Sequence, residues 1–219
     1  MGRMWLHERP GTRVLNTPNE TVRWHALLHG MAGILLLVSA VAANSVEDTM
    51  ILIDDRHSGD LQSALGTQWR LITDGVMGGV SSGMLGLDQR EGRDCLHLLG
   101  EVSLENNGGF IQAALELAQS GALDAAGYDG VELDVFGNGE AYNVHLKTSR
   151  VWLPWQHYRA SFMAEPGWHS VRVPFSAFEG YRIGAAFDPA KLERIGIVAY
   201  GRVFTADLCI GRVAFYRDV

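Results

Sequence analysis

Basic residues are scarce in this sequence: 18 Lys and Arg stand against 25 Asp and Glu, a formal net charge of -7. The first 43 residues hold four of the cations (Arg3, Arg9, Arg13, Arg23) and two of the acids (Glu8, Glu20), which leaves a balance of -9 for residues 44–219. So acidic a surface has no basic stripe to release counterions and repels phosphates. Nucleic acid is therefore not an expected partner. Cysteine is almost absent, with two in 219 residues, which rules out a disulfide-scaffold protein. At 47% hydrophobic and 20% charged the chain can bury a core without one. Internal repeats, low-complexity tracts and interdomain linkers are also missing.

Metal and phosphate chemistry find little to use. His57, His97, His145, His157 and His169 are scattered, and the one pair four apart, His25 and His29, lies in the first 43 residues. Neither a transition metal nor a cofactor is expected from such spacing. Asp129 and Asp134 carry groups that calcium accepts, but they read better as a solvated acidic strand face. The stretch Asp74-Gly75-Val76-Met77-Gly78-Gly79 lacks the Lys-Ser/Thr end of a phosphate loop and the spacing of a dinucleotide fingerprint. Gly79-Val80-Ser81-Ser82-Gly83 matches the nucleophile-elbow string of hydrolases. Its continuation, Met84-Leu85-Gly86-Leu87, is short and strand-like, not the helix such an elbow requires. The sequence predicts no enzyme.

A targeting pattern opens the chain. Arg23 precedes the apolar run Met31 to Val38, and Ser39-Ala40-Val41-Ala42-Ala43 comes next, before polar Asn44-Ser45. These are the parts of a secretory signal, with cleavage predicted after Ala42 or Ala43. The rival reading is a membrane anchor, but the run is shorter than the roughly 20 apolar residues of a span. No Cys stands near for lipid attachment. The long polar preface predicts a translation start near Val22. The expected organisation is an extension and signal over 1–43, then one domain over 44–219, exported to a periplasmic or extracellular location.

From Trp69 onward hydrophobicity alternates with period two and turn residues break it often. Val131, Leu133 and Val135 alternate with Glu132 and Asp134; Tyr142, Val144 and Leu146 alternate with Asn143, His145 and Lys147. Only 112–120 has the composition of a helix, and a strand fits it equally. Many short strands with Gly-rich turns predict an all-β sandwich. Cys95 and Cys209 would either bond in an oxidising compartment or stand as two buried thiols on separate strands.

Several strings are specific. Trp69 is followed by Asp74-Gly75-Val76-Met77-Gly78-Gly79-Val80-Ser81, then by Asn106-Asn107-Gly108-Gly109-Phe110. Next come Tyr128-Asp129-Gly130-Val131, Tyr158-x-Ala160-x-Phe162 and Trp168-x-x-Val171-x-Val173-Pro174-Phe175. In this order they resemble the complex I intermediate-associated protein 30 family over roughly residues 54–216. The resemblance implies a galactose-binding-like jelly roll and a non-enzymatic role; mitochondrial members assist assembly of the NADH:ubiquinone oxidoreductase. Members of that kind act on the matrix side, whereas this leader predicts export, so an assembly-factor-like protein with a protein partner of its own is expected.

Two places could do the binding. The Gly-Gly pairs, with Asp74, Asn106 and Asn107, read as a brace between loops in preference to a ligand contact. Trp152, Trp155, His157 and Tyr158 crowd into residues 150–158, where exposed rings would suit a protein hot spot or a sugar, and inward rings would cap the core. Tyr142 and His145 are further surface candidates. The second functional reading is a carbohydrate-binding module.

Overall fold

The computed structural model describes residues 49–218, and the expected signal segment lies outside them. Twelve strands alternate with short turns. They are β1 (Met50–Asp54), β2 (Arg70–Thr73), β3 (Ser82–Arg90), β4 (Arg93–Val102), β5 (Phe110–Glu116) and β6 (Gly130–Phe136). Then come β7 (Glu140–Thr148), β8 (His157–Ala164), β9 (His169–Pro174), β10 (Glu179–Tyr181), β11 (Leu192–Tyr200) and β12 (Phe204–Tyr216). Within 112–120, residues 112–116 are strand, since Phe110–Glu116 pairs with β11 along its full length, and residues 117–120 bend away.

Two antiparallel six-stranded sheets result. One runs β3-β4-β12-β6-β9 and the other β10-β8-β7-β11-β5-β2. In the first, β12 pairs with β6 on one side; on the other it pairs with β4 along its first half and β1 along its second. The inward residues of each strand meet between the sheets. Val131, Leu133 and Val135 of β6 and Leu208, Ile210 and Phe215 of β12 face Tyr142, Val144 and Leu146 of β7 and Ile195 and Ile197 of β11, all buried in one core. Period-two alternation is what lets a strand bury one face and wet the other. A register shift between Ile210 and Arg212 turns Val213 and Phe215 inward after Leu208 and Ile210, which plain alternation would not allow.

Cys95 and Cys209, on neighbouring strands β4 and β12, are joined by a disulfide, with Cα atoms 5.3 Å apart. Both are buried. Of the two readings open in the sequence, the bonded one describes this fold. No helix among the described residues is long and apolar enough to cross a membrane.

Candidate binding groove

Two of the family-like strings, residues 74–81 and 106–110, meet in space around one carboxylate. Strand β2 ends at Thr73, and Asp74–Met77 make a single 3-10 turn closed by Gly78. Asp74 is fully buried. Its carboxylate accepts hydrogen bonds from the amides of Ser81 (3.0 Å), Gly109 (2.6 Å) and Phe110 (3.2 Å), and from the Ser81 hydroxyl. The Ser81 hydroxyl in turn accepts from the Ser103 amide at 2.9 Å. Burial pushes the Asp74 carboxyl up, but the Ser81 hydroxyl and these amides outweigh it and hold the group below its ordinary value.

The glycines divide this labour. A Cβ on Gly79 or Gly108 would run into the Asp74 carboxyl group. Gly78 and Gly109 instead turn the chain at φ 90° and 135°, where a side chain is strained. Asn106 and Asn107 also take left-handed conformations, with φ 54° and 59°. Ser81 is thus a tether: its hydroxyl donates to a buried carboxylate and has no imidazole partner among the described residues. Trp69 is buried elsewhere, its indole N–H donating to Asp54, which also pairs with Arg56.

The brace holds one wall of a groove of about 980 Å³. Met77, Asn107, Gly108, Gly109 and Phe110 line that wall with Val76, while Asp74, Gly79 and Ser81 are not among the lining residues. The opposite wall is the β7–β8 loop, with Val151, Trp152, Leu153, Pro154 and Trp155. Trp152 is 89% exposed and Trp155 46%. The loop is pinned at its base. Lys147 Nζ donates to the Pro154 carbonyl at 2.6 Å, and Gln156 Nε2 donates to the Arg182 carbonyl at 2.8 Å.

Between the walls the floor is a row of rings crossing the sheet. Tyr181 of β10 stacks on His157 of β8 at 5.1 Å, His157 on His145 of β7 at 3.8 Å, and His145 meets the edge of Tyr200 of β11 at 5.5 Å. The Arg159 guanidinium lies over Tyr181 and Tyr200, at 4.8 and 5.3 Å. Desolvation, then the charges around it, lower His145 well below the ordinary imidazole value; desolvation, then Arg159 and Lys147, bring His157 down to about 4. Both imidazoles are therefore neutral at neutral pH and can stack without repulsion. Gln112, Lys147, Arg182 and Arg194 complete the lining.

Of the surface candidates named from sequence, Trp152 and Trp155 stand at this groove and His145 lies in its floor. Tyr142 and Tyr158 correct the expectation: both are in the core. The Tyr142 hydroxyl donates to Asn138 and accepts from the Asp207 amide, and burial pushes its pKa up to about 12. The Tyr158 hydroxyl reaches the Ala185 and Ala186 carbonyls, each at 3.1 Å. Adjacent strand residues point to opposite faces, so His157 and Tyr158 cannot share a surface. Sequence reasoning missed Tyr181, Tyr200, Gln112 and Arg182. For Lys147 the signal existed, since it sits two residues beyond His145 on one strand face. Among the described residues no group of three or more His, Cys, Asp or Glu could hold a metal ion.

Comparison with known proteins agrees with this architecture. A family 11 carbohydrate-binding module of a cellulosomal cellulase of Clostridium thermocellum superimposes with a TM-score of 0.60 at 12% identity, covering 77% of this chain and 95% of the module. The same kind of module in complex with a beta-1,3-1,4-mixed-linked tetrasaccharide gives 0.60 at 12% identity, covering 78% and 96%. A family 30 carbohydrate-binding module gives 0.54 at 16% identity, covering 80% and 90%. At such identities the likeness establishes the fold, a galactose-binding-like jelly-roll sandwich. No curated protein matches the sequence. The family model for complex I intermediate-associated protein 30 matches residues 57–207, from just after β1 into β12. With the Asp74 brace and every residue that lines the groove inside that span, the chain belongs to the complex I intermediate-associated protein 30 family.

Proposed function

We propose that this chain is a non-catalytic binding protein that holds a segment of a protein partner in the groove, as an exported accessory or assembly factor. The observation that carries this reading is the pair of apolar rims. Val76 and Met77 on one wall, and Trp152, Leu153 and Trp155 on the other, are all exposed and all line the cavity. Flat rings suit a sugar or a peptide, but Val, Met and Leu have little to offer a hydroxyl-covered ring and much to offer peptide side chains. Exposed apolar side chains gathered at one place mark interaction surfaces. The family's association with complex I intermediates supports a protein client, and the predicted leader and the Cys95–Cys209 bond support an oxidising, exported location. Among the described residues lining the groove, none pairs a nucleophile with a base.

The second reading, carbohydrate binding, is favoured by the ring row from Tyr181 to Tyr200 and by the sugar-bound family 11 module of like fold. One experiment separates them. A photocrosslinking residue replaces Leu153 in the producing cell, and adducts are identified by mass spectrometry. The expected result is a defined protein adduct that disappears in W152A/W155A, a variant that melts with the parent. Removing such rings typically costs about 2 kcal/mol or more each in binding. Saturable binding to an arrayed glycan, abolished by the same change, would establish the second reading and sink the first.

A further inference from the structure

Most arginines among the described residues sit within ion-pair distance of a carboxylate, as Arg56 does with Asp54, Arg172 with Glu132 and Arg194 with Glu116. Arg159 and Arg182 do not. Both lie over the same ring, Tyr181, with guanidinium carbons 4.8 and 5.4 Å from its centroid. Arg182 is exposed and Arg159 half-buried. Nearby, Lys147 has no carboxylate at ion-pair distance either, only the Pro154 carbonyl. Among the described residues no Asp or Glu lines the groove.

This is the reverse of the rest of the molecule, where residues 44–219 carry a balance of -9. Arg182 lines the cleft, and Arg159 lies over Tyr181 and Tyr200, two rings of its floor, so both charges bear on whatever occupies that end. A local positive patch on an acidic protein also steers a negative ligand to that spot and turns away cationic competitors. The planar donors of Arg match a carboxylate in two parallel hydrogen bonds, which Lys does not offer.

Resting on the protein-partner reading above, we infer that the occupant of the groove is an acidic segment, with apolar side chains between the rims and an Asp or Glu carboxylate at Arg159 and Arg182. The rims select hydrophobic bulk, the arginine pair fixes register and direction, and Gln112 and Asn107 offer amides to the segment's backbone.

The test is selection of short random displayed peptides on the purified chain, with R159Q/R182Q and W152A/W155A alongside. Winning peptides are expected to carry paired apolar residues flanked by Asp or Glu. Changing those acids to Asn or Gln in a synthetic winner lowers affinity roughly tenfold by fluorescence anisotropy, as does R159Q/R182Q, and the two losses do not add because they remove one contact. Added salt weakens binding to the parent more than to R159Q/R182Q. Winners without acidic bias that still require Trp152 and Trp155 would overturn the charge inference and leave the peptide groove standing. No winners, or winners indifferent to the tryptophans, would end both. Oligogalacturonate bound through Arg159 and Arg182, with no peptide selected, would place the anion on a sugar and overturn the inference too. The acid-to-amide peptides decide the matter even where an arginine variant fails to fold.

Discussion

Asp74 is a buried charge that belongs to two loops at once. Its four donors come from residues 81, 109 and 110, so its carboxylate ties the turn after β2 to the turn before β5. Removing a partner from such a network leaves buried N–H groups with nothing to bind. Asp74→Ala should therefore lower stability by about 3–5 kcal/mol in chemical denaturation. Within the glycine pairs, Gly79→Ala should cost more than Gly78→Ala. The first must push Asp74 aside, while the second, with open space around it, meets only backbone strain of about 1 kcal/mol. Equal losses would mean that the carboxylate yields easily. Because Asp74 titrates below its ordinary value in the fold, it contributes stability above the unfolded pKa, near 4, and loses it as pH falls through the folded one. Asp74→Asn should melt with a flatter pH dependence below about pH 4 than the parent. The glycines and the aspartate are legible as a string, and a brace is the natural reading of so much bare backbone. That one carboxylate organises it is not, since nothing local tells residue 74 that its partners lie 35 and 36 positions on.

The ring row belongs to four strands, and its behaviour is shared. His145 and His157 are neutral in the fold, with His157 down to about 4 against an ordinary 6.5. A histidine with a depressed folded pKa gives stability that is whole above 6.5 and lost as pH drops toward 4. For His157 alone that is roughly 3 kcal/mol across the window. Melting temperature should fall between about pH 7 and pH 4, and H145F/H157F should flatten the curve there while leaving the acid limb governed by Asp74. A parent curve that is flat over that range would show that the imidazoles take up protons in the fold as readily as in the unfolded chain. Strand identity here is legible from alternation, and so is the face of β7 that carries His145. The groove is not: its lining runs from Ile72 to Tyr200 and is assembled by pairings of β5, β7, β8, β10 and β11 that no stretch of sequence encodes. Tyr142 and Tyr158 escape a reading by proximity because crowding of aromatics along the chain does not make a shared surface: strand geometry sends neighbours opposite ways.

At the level of the molecule, the sandwich follows from short alternating strands and Gly-rich turns, because each strand has a single face to bury. The order of strands in each sheet does not, since pairing is decided by contacts between distant residues. The proposed export carries its own check. N-terminal sequencing of the protein recovered from outside the cytoplasm should begin at Ala43 or Asn44, and recovery of an intact leader in the soluble cytoplasmic fraction would contradict it. A non-reduced sample should be lighter than a reduced one by two hydrogens, from the Cys95–Cys209 bond.

The place of β12 at the heart of its sheet has a consequence in time. This strand touches β1, β4 and β6, and it is the last of the twelve to leave the ribosome. Until Tyr216 has been synthesised, β1 lacks its partner and β4 and β6 have nothing to join them. Pairings between such distant segments are slow to form. Until β12 has been made, then, one of the two sheets stays open at its centre, and the sandwich closes only once that strand has arrived.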